Sequence, residues 1–133
     1  KIAHCPDSNF FLKSGIFPFK KIKNTNIDFA LASDVAAGTS LSMFNMMKMC
    51  IYRQDNYPVS PEEAFYYATF AGAKVLGKED IIGSIEIGKE ADLVFIEIPK
   101  LHEKTKFDLL SELVYLGSER EIKDVYVRGK KVL

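Results

Sequence analysis

The 133-residue chain has no tryptophan, two cysteines and two histidines. Cys5 and Cys50 are too few for a disulfide scaffold, so a reducing, cytoplasmic setting is the simpler expectation. His4 and His102 cannot supply a multi-histidine metal site. His4 and Cys5 are neighbours, and as strand residues they would point to opposite faces. Charge of one sign is also lacking: 18 basic residues balance 18 acidic ones. Nothing in that balance points to nucleic acid or an anionic membrane surface as a partner. No apolar run approaches the roughly 20 residues that a spanning helix needs. The opening Lys1-Ile2-Ala3-His4-Cys5-Pro6 does not read as a signal peptide. A phosphate-cradling glycine loop is absent, because Gly83 and Gly88 are too far apart and precede a strand-like run. No Gly-x-Ser-x-Gly elbow presents a nucleophilic serine.

What is there is an ordinary globular composition, 47% hydrophobic and 27% charged. The most informative stretch is the apolar run Phe29-Ala30-Leu31-Ala32-Ser33, which ends on Asp34 and a small-residue loop, Val35-Ala36-Ala37-Gly38-Thr39-Ser40. A carboxylate at the C-terminal tip of a buried strand suits a metal ligand or general base in an α/β enzyme. The same residue could instead cap a helix starting near Val35 or Ser40. Spacing alone leaves both readings open.

The pattern predicts strands at 1–4 and 27–33, with a turn at Pro6-Asp7-Ser8-Asn9 after the first. A short helix is expected at 17–23 and a longer one at 41–54. Met43, Met46, Met47 and Met49 read as flexible core filling, with no cysteine or histidine pair at ligand spacing beside them. Ser60-Pro61-Glu62-Glu63 is a clear helix start, and that helix is expected to run to Gly77. Residues 83–88 alternate as a strand does, and Asp92 to Ile98 is a β run closed by Pro99. A helix at 107–116 and a hairpin at 124–132 turning at Gly129 complete the pattern. The Lys20-Lys21-Ile22-Lys23 run reads as a solvated face.

Several of these runs resemble one family. Ala3-His4-Cys5-Pro6-Asp7-Ser8-Asn9, Ser14-Gly15 and Ala32-Ser33-Asp34-Val35-Ala36-Ala37-Gly38 are similar to the last two barrel strands of metal-dependent amidohydrolases that deaminate purines and pyrimidines. The run from Asp34 to Met43, Leu113-Val114-Tyr115-Leu116-Gly117-Ser118-Glu119-Arg120 and Val125 to Lys130 resemble the guanine deaminase branch in particular. Gly83 to Val94 resembles the small β domain shared across the superfamily and is less specific.

The resemblance implies an α/β fold: C-terminal strands and helices of a (β/α)8 TIM-like barrel, plus part of a small β-sandwich. Residues 1–77 would carry barrel strands seven and eight, and 78–133 the β-sandwich portion with a barrel-packing helix near 107–116. It implies that Asp34 binds the metal, usually zinc, and takes a proton from the water it activates. The zinc-bound hydroxide would attack C2 of guanine, releasing ammonia and leaving xanthine. Because a metal lowers a water's pKa from 15.7 to about 7, hydroxide is available near neutrality. His4, Ser8 and Asn9 would line the site, with a packing role for His4 as the alternative.

The family's His-x-His pair, third metal-binding histidine, acid–base glutamate and proton-shuttle histidine have no counterpart in this sequence. A catalytic zinc takes about three protein ligands, and this chain offers one. The expectation is therefore a C-terminal portion of a longer enzyme, inactive alone, with the N-terminal portion and a second copy as partners. The opening Lys1 in place of Met fits that expectation. A related deaminase or chlorohydrolase acting on cytosine, a triazine or an adenosine derivative is the alternative, as is a non-catalytic structural fragment.

Overall fold

A computed structural model describes residues 1–55, 57–97 and 108–133. The expected strand end at Ile98-Pro99, the helix start at Phe107, and His102 lie outside the described residues.

Two short strands set the frame. β1 (Ile2–His4) and β2 (Phe29–Leu31) pair in parallel, with Ile2 opposite Phe29 and His4 opposite Leu31. The pairing extends by Ile2 N–H donating to Asp28 O and Ala32 N–H donating to His4 O, both at 2.9 Å. All three β2 residues are buried, which is what an uninterrupted apolar run in a parallel sheet requires.

Between the strands the expected turn at Pro6–Asn9 is a helix, α1 (Pro6–Phe11). Pro6 sits at the start, where its missing N–H costs nothing, and Asp7 occupies the positive first turn. The turn-forming residue types misled because they are also helix-start types. α2 (Phe19–Lys23) is the short helix foreseen. α3 (Met43–Tyr52) begins behind Ser42, whose hydroxyl accepts from Asn45 N–H.

The expected single helix from 60 to 77 is two: α4 (Pro61–Ala68) and α5 (Phe70–Leu76). Thr69 breaks it, with φ −126° and ψ −96°. Its hydroxyl donates to Phe65 O at 2.7 Å, the local bond that competes with a helical ladder. The capping box of Ser60 and Glu63 forms as its sequence predicts.

The core lies between β2 and these helices. Phe29 stacks on Tyr67 with centroids 4.1 Å apart, and Phe19 meets both rings edge-on. Met46, Met47 and Cys50 fill the α3 side, so these methionines are core residues. Beyond it, Lys23, Tyr57 and Glu63 join α2 to the start of α4 through a hydrogen-bonded cluster.

The second half is mainly antiparallel. β3 (Leu93–Ile96) pairs with β4 (Ile122–Val127), and β4 with β5 (Lys130–Lys131). Arg128 and Gly129 both have positive φ, 51° and 75°, as a two-residue hairpin turn demands. Asp92 and Glu90 steady this turn through Arg128. α6 (Leu109–Leu116) is capped by Asp108 and packs on α3 and α4 through the fully buried Val114.

The expected strand at 83–88 does not form. Gly83 and Gly88 take positive φ, and Glu90 N–H reaches back to Ile81 O at 2.8 Å, closing the segment into turns. Alternation makes a strand only where a partner edge exists, and no described strand pairs with these residues. Among the described residues, no helix is long and apolar enough to cross a membrane.

Candidate active site at the ends of the parallel strands

Parallel, in-register pairing brings the C-terminal ends of β1 and β2 side by side. From the β1 end the chain enters α1, and from the β2 end it enters the loop at Asp34. These two exits meet. Ser8 Oγ donates to Asp34 Oδ2 at 2.6 Å. Ser8 is buried in α1, while Asp34 is exposed at the loop.

The loop has an unusual backbone. Asp34 and Ala36 lie in the left-handed region, with φ 55° and 77°. Such conformations cost residues with a Cβ on the order of 1 kcal/mol or more. Asp34 O accepts from Ala37 N–H at 3.0 Å and Gly38 N–H at 2.7 Å. A Cβ on Gly38 would stand 2.1 Å from Ser33 O, so this tight return needs glycine. At the far end, Asp7 Oδ2 accepts from both Thr39 N–H and Thr39 Oγ1, each at 2.7 Å.

The capping reading of Asp34 is overturned. Residues 35–39 form a turn and a bend, α3 starts at Met43, and Ser42 caps it. Asp34 Oδ1 has no hydrogen-bond partner among the described residues.

The four expected site residues fall into two groups. Asp34 and Ser8 touch. His4 and Asn9 line a separate cavity of about 390 Å³ with Phe10, Lys13, Phe17 and Arg53, and neither Asp34 nor Ser8 lines it. His4 is buried, its ring stacks on Phe17, and neither nitrogen has a partner among the described residues. Burial lowers its pKa from 6.5 to about 4, so the ring is neutral at pH 7.

Cys5, between them, is not activated. Burial raises its thiol pKa, and the Asp34 charge raises it further. Asp7 and Thr39 were missed in the sequence. Pro6 at a helix start was the signal that could have placed Asp7 on α1.

A metal can use this site only in part. Among the described residues, no three His, Cys, Asp or Glu side chains cluster to hold an ion. Asp34 fits as one donor, since it is exposed and keeps Oδ1 unengaged.

The model for the amidohydrolase family matches residues 1–132. The chain belongs to the amidohydrolase family. Among its amidohydrolase relatives, guanine deaminase of Escherichia coli is 36% identical over 98% of this chain and 32% of its own. The 5-methylthioadenosine/S-adenosylhomocysteine deaminase of Bacillus cereus is also 36% identical, over 100% of this chain and 32% of its own. The chain thus spans about a third of the length of the curated relatives it matches.

Solved amidohydrolase structures agree in mixed α/β fold. The E. coli guanine deaminase superposes with TM-score 0.93 over 100% of this chain and 34% of its own. Guanine deaminase from C. acetobutylicum, with guanine in its active site, is 35% identical with TM-score 0.83, covering 99% and 33%. An adenosine deaminase from Xanthomonas campestris with bound zinc is 32% identical with TM-score 0.87, covering 98% and 31%.

Proposed function

We propose that the chain is the C-terminal portion of a guanine deaminase, a hydrolase that converts guanine and water into xanthine and ammonia in purine catabolism. β1 and β2 are then strands seven and eight of a (β/α)8 barrel within residues 1–77. Residues 78–133 complete a small β-sandwich, with α6 packed on the barrel helices. The observation that carries this reading is Asp34, exposed at the end of β2 with one carboxylate oxygen held by Ser8 and the other unengaged.

In this reading Asp34 supplies one ligand to a zinc or other divalent ion, and the N-terminal portion of the same enzyme supplies the rest. A bound divalent metal contributes Lewis acidity and lowers the pKa of a water towards about 7. The Asp34 carboxylate takes the proton released as water adds to C2 of guanine, that proton passes on to the amine, and the C2–N bond breaks to release ammonia as the C2 carbonyl forms. The buried, neutral His4 supports the strand end from the other side. Two unpaired thiols suit a cytoplasmic enzyme, and exposed apolar side chains such as Phe10 and Phe11 suit a homodimer or docking of the N-terminal portion.

The Bacillus cereus relative favours a second reading, deamination of an adenosine derivative. The deciding experiment assays the full-length enzyme, with metal content measured, on guanine and on 5-methylthioadenosine. Rapid turnover of guanine alone supports the first reading. Turnover of the adenosine derivative alone replaces it, and inactivity towards both with full metal loading removes both.

A further inference from the structure

We propose that Ser8 is the positioning residue for the Asp34 carboxylate, and Asp7 for the loop that carries it. This rests on the reading of Asp34 as a metal ligand. Ser8 is 1% exposed and Asp7 5% exposed, so neither exchanges its bonds freely with water. Consecutive residues of α1 thereby grip both ends of one loop. Ser8 Oγ donates to Asp34 Oδ2 at 2.6 Å, and Thr39 donates twice to Asp7 Oδ2 at 2.7 Å.

The grip answers a problem that the loop creates. Asp34 stands on a left-handed backbone, exposed, where its side chain has little packing to fix a rotamer. The Ser8 bond selects one rotamer and occupies Oδ2. That leaves Oδ1 as the oxygen for the metal. Partners of this kind, behind a ligand, tune affinity without touching the ion. The division of labour is specific: Asp7 holds backbone, and Ser8 holds the carboxylate itself.

The test uses the full-length enzyme. Zinc affinity is read by competition with a chromophoric chelator, alongside kcat and KM for guanine and the thermal midpoint of metal-free protein. Ser8→Ala should weaken zinc binding roughly 10–100-fold and lower kcat, with KM and the metal-free midpoint little changed. Ser8→Thr, which keeps the hydroxyl, should recover most of both losses. Unchanged zinc affinity and kcat in Ser8→Ala, or a Ser8→Thr no better than Ser8→Ala, overturns the proposal. Should Ser8→Ala aggregate, Ser8→Cys reads the same quantity with a weak donor of similar shape. Asp34→Ala, run in parallel, separates the two claims. If it keeps its zinc, the ligand reading fails and the positioning role falls with it. If it loses zinc while Ser8→Ala does not, only the positioning role fails.

Discussion

His4 lies face to face with Phe17, their ring centroids 4.1 Å apart and their planes 16° from parallel. Phe17 in turn meets Phe19 and Phe29, so His4 extends the aromatic core. Asp34 stands apart from that layer, at the strand end beside Ser8.

His4 should make stability pH-dependent. Its folded pKa, about 4, lies below its ordinary 6.5 because burial disfavours the charged ring. Between these values the unfolded chain binds the extra proton. The contribution is therefore complete above pH 6.5 and is lost as pH falls through 4. The loss is roughly 3 kcal/mol for one such group. Denaturant unfolding of the full-length enzyme across that window should show it, and His4→Phe should flatten it. A slope unchanged in His4→Phe assigns the pH dependence elsewhere.

On the proposed role of Asp34 as ligand and proton acceptor, Asp34→Ala in the full-length enzyme should cut guanine deamination by orders of magnitude and release metal. His4→Ala should be much milder. Near-normal turnover with full metal content in Asp34→Ala would make that residue structural. Metal loss from His4→Ala would show that the wrong strand end carries the ligand.

Two glycines should respond with opposite sign. Gly38→Ala puts a Cβ 2.1 Å from the Ser33 carbonyl oxygen, where backbone must move. A cost of about 1–3 kcal/mol is expected from such crowding, together with lower activity as the Asp34 loop shifts. Gly72→Ala, inside α5 with nothing within 4 Å of the new Cβ, should stabilise by about 0.5–1 kcal/mol. Thermal midpoints of the two variants check the contrast.

Residues 1–133 produced alone should be poorly soluble or self-associate. Phe10, Phe11 and Leu12 are each more than half exposed, and Ile85 and Ile87 are almost wholly so. Sedimentation of the purified chain decides this. A monodisperse, cooperatively unfolding monomer would identify an independent domain.

Legibility followed the range of the forces. The box at Ser60 and the turn at Gly129 depend on neighbours in sequence, and each formed where its residues predict, while the strand at Phe29 was legible because its apolar run is uninterrupted. Asp34 was conspicuous because a charge ends an apolar run. Its partner Ser8 was named only as a lining residue, since the bond joins residues brought together by strand pairing. The bonds between Asp7 and Thr39 were invisible for the same reason. The break at Thr69, where the hydroxyl bonds to Phe65 O, has no clear mark in the sequence, and the 83–88 alternation lacked a partner edge. His4 and Asn9 join Asp34 by motif alone; in space they line a cavity that Asp34 does not reach.

Val114 has consequences for how the molecule comes apart. It is sealed in the same core as Met46 and Ala64, although it lies on the helix that leads into the antiparallel sheet. Just beyond it, Gly117 passes so near Phe44 that an added Cβ would stand 2.9 Å from the ring. The two sheets share no strand, but this helix keys one to the other. Lifting α6 opens a void beside α3 and α4, and that void penalises partial unfolding. Slowly exchanging amides in α3, α4 and α6 therefore belong to one cooperative unit and should surrender their protection together.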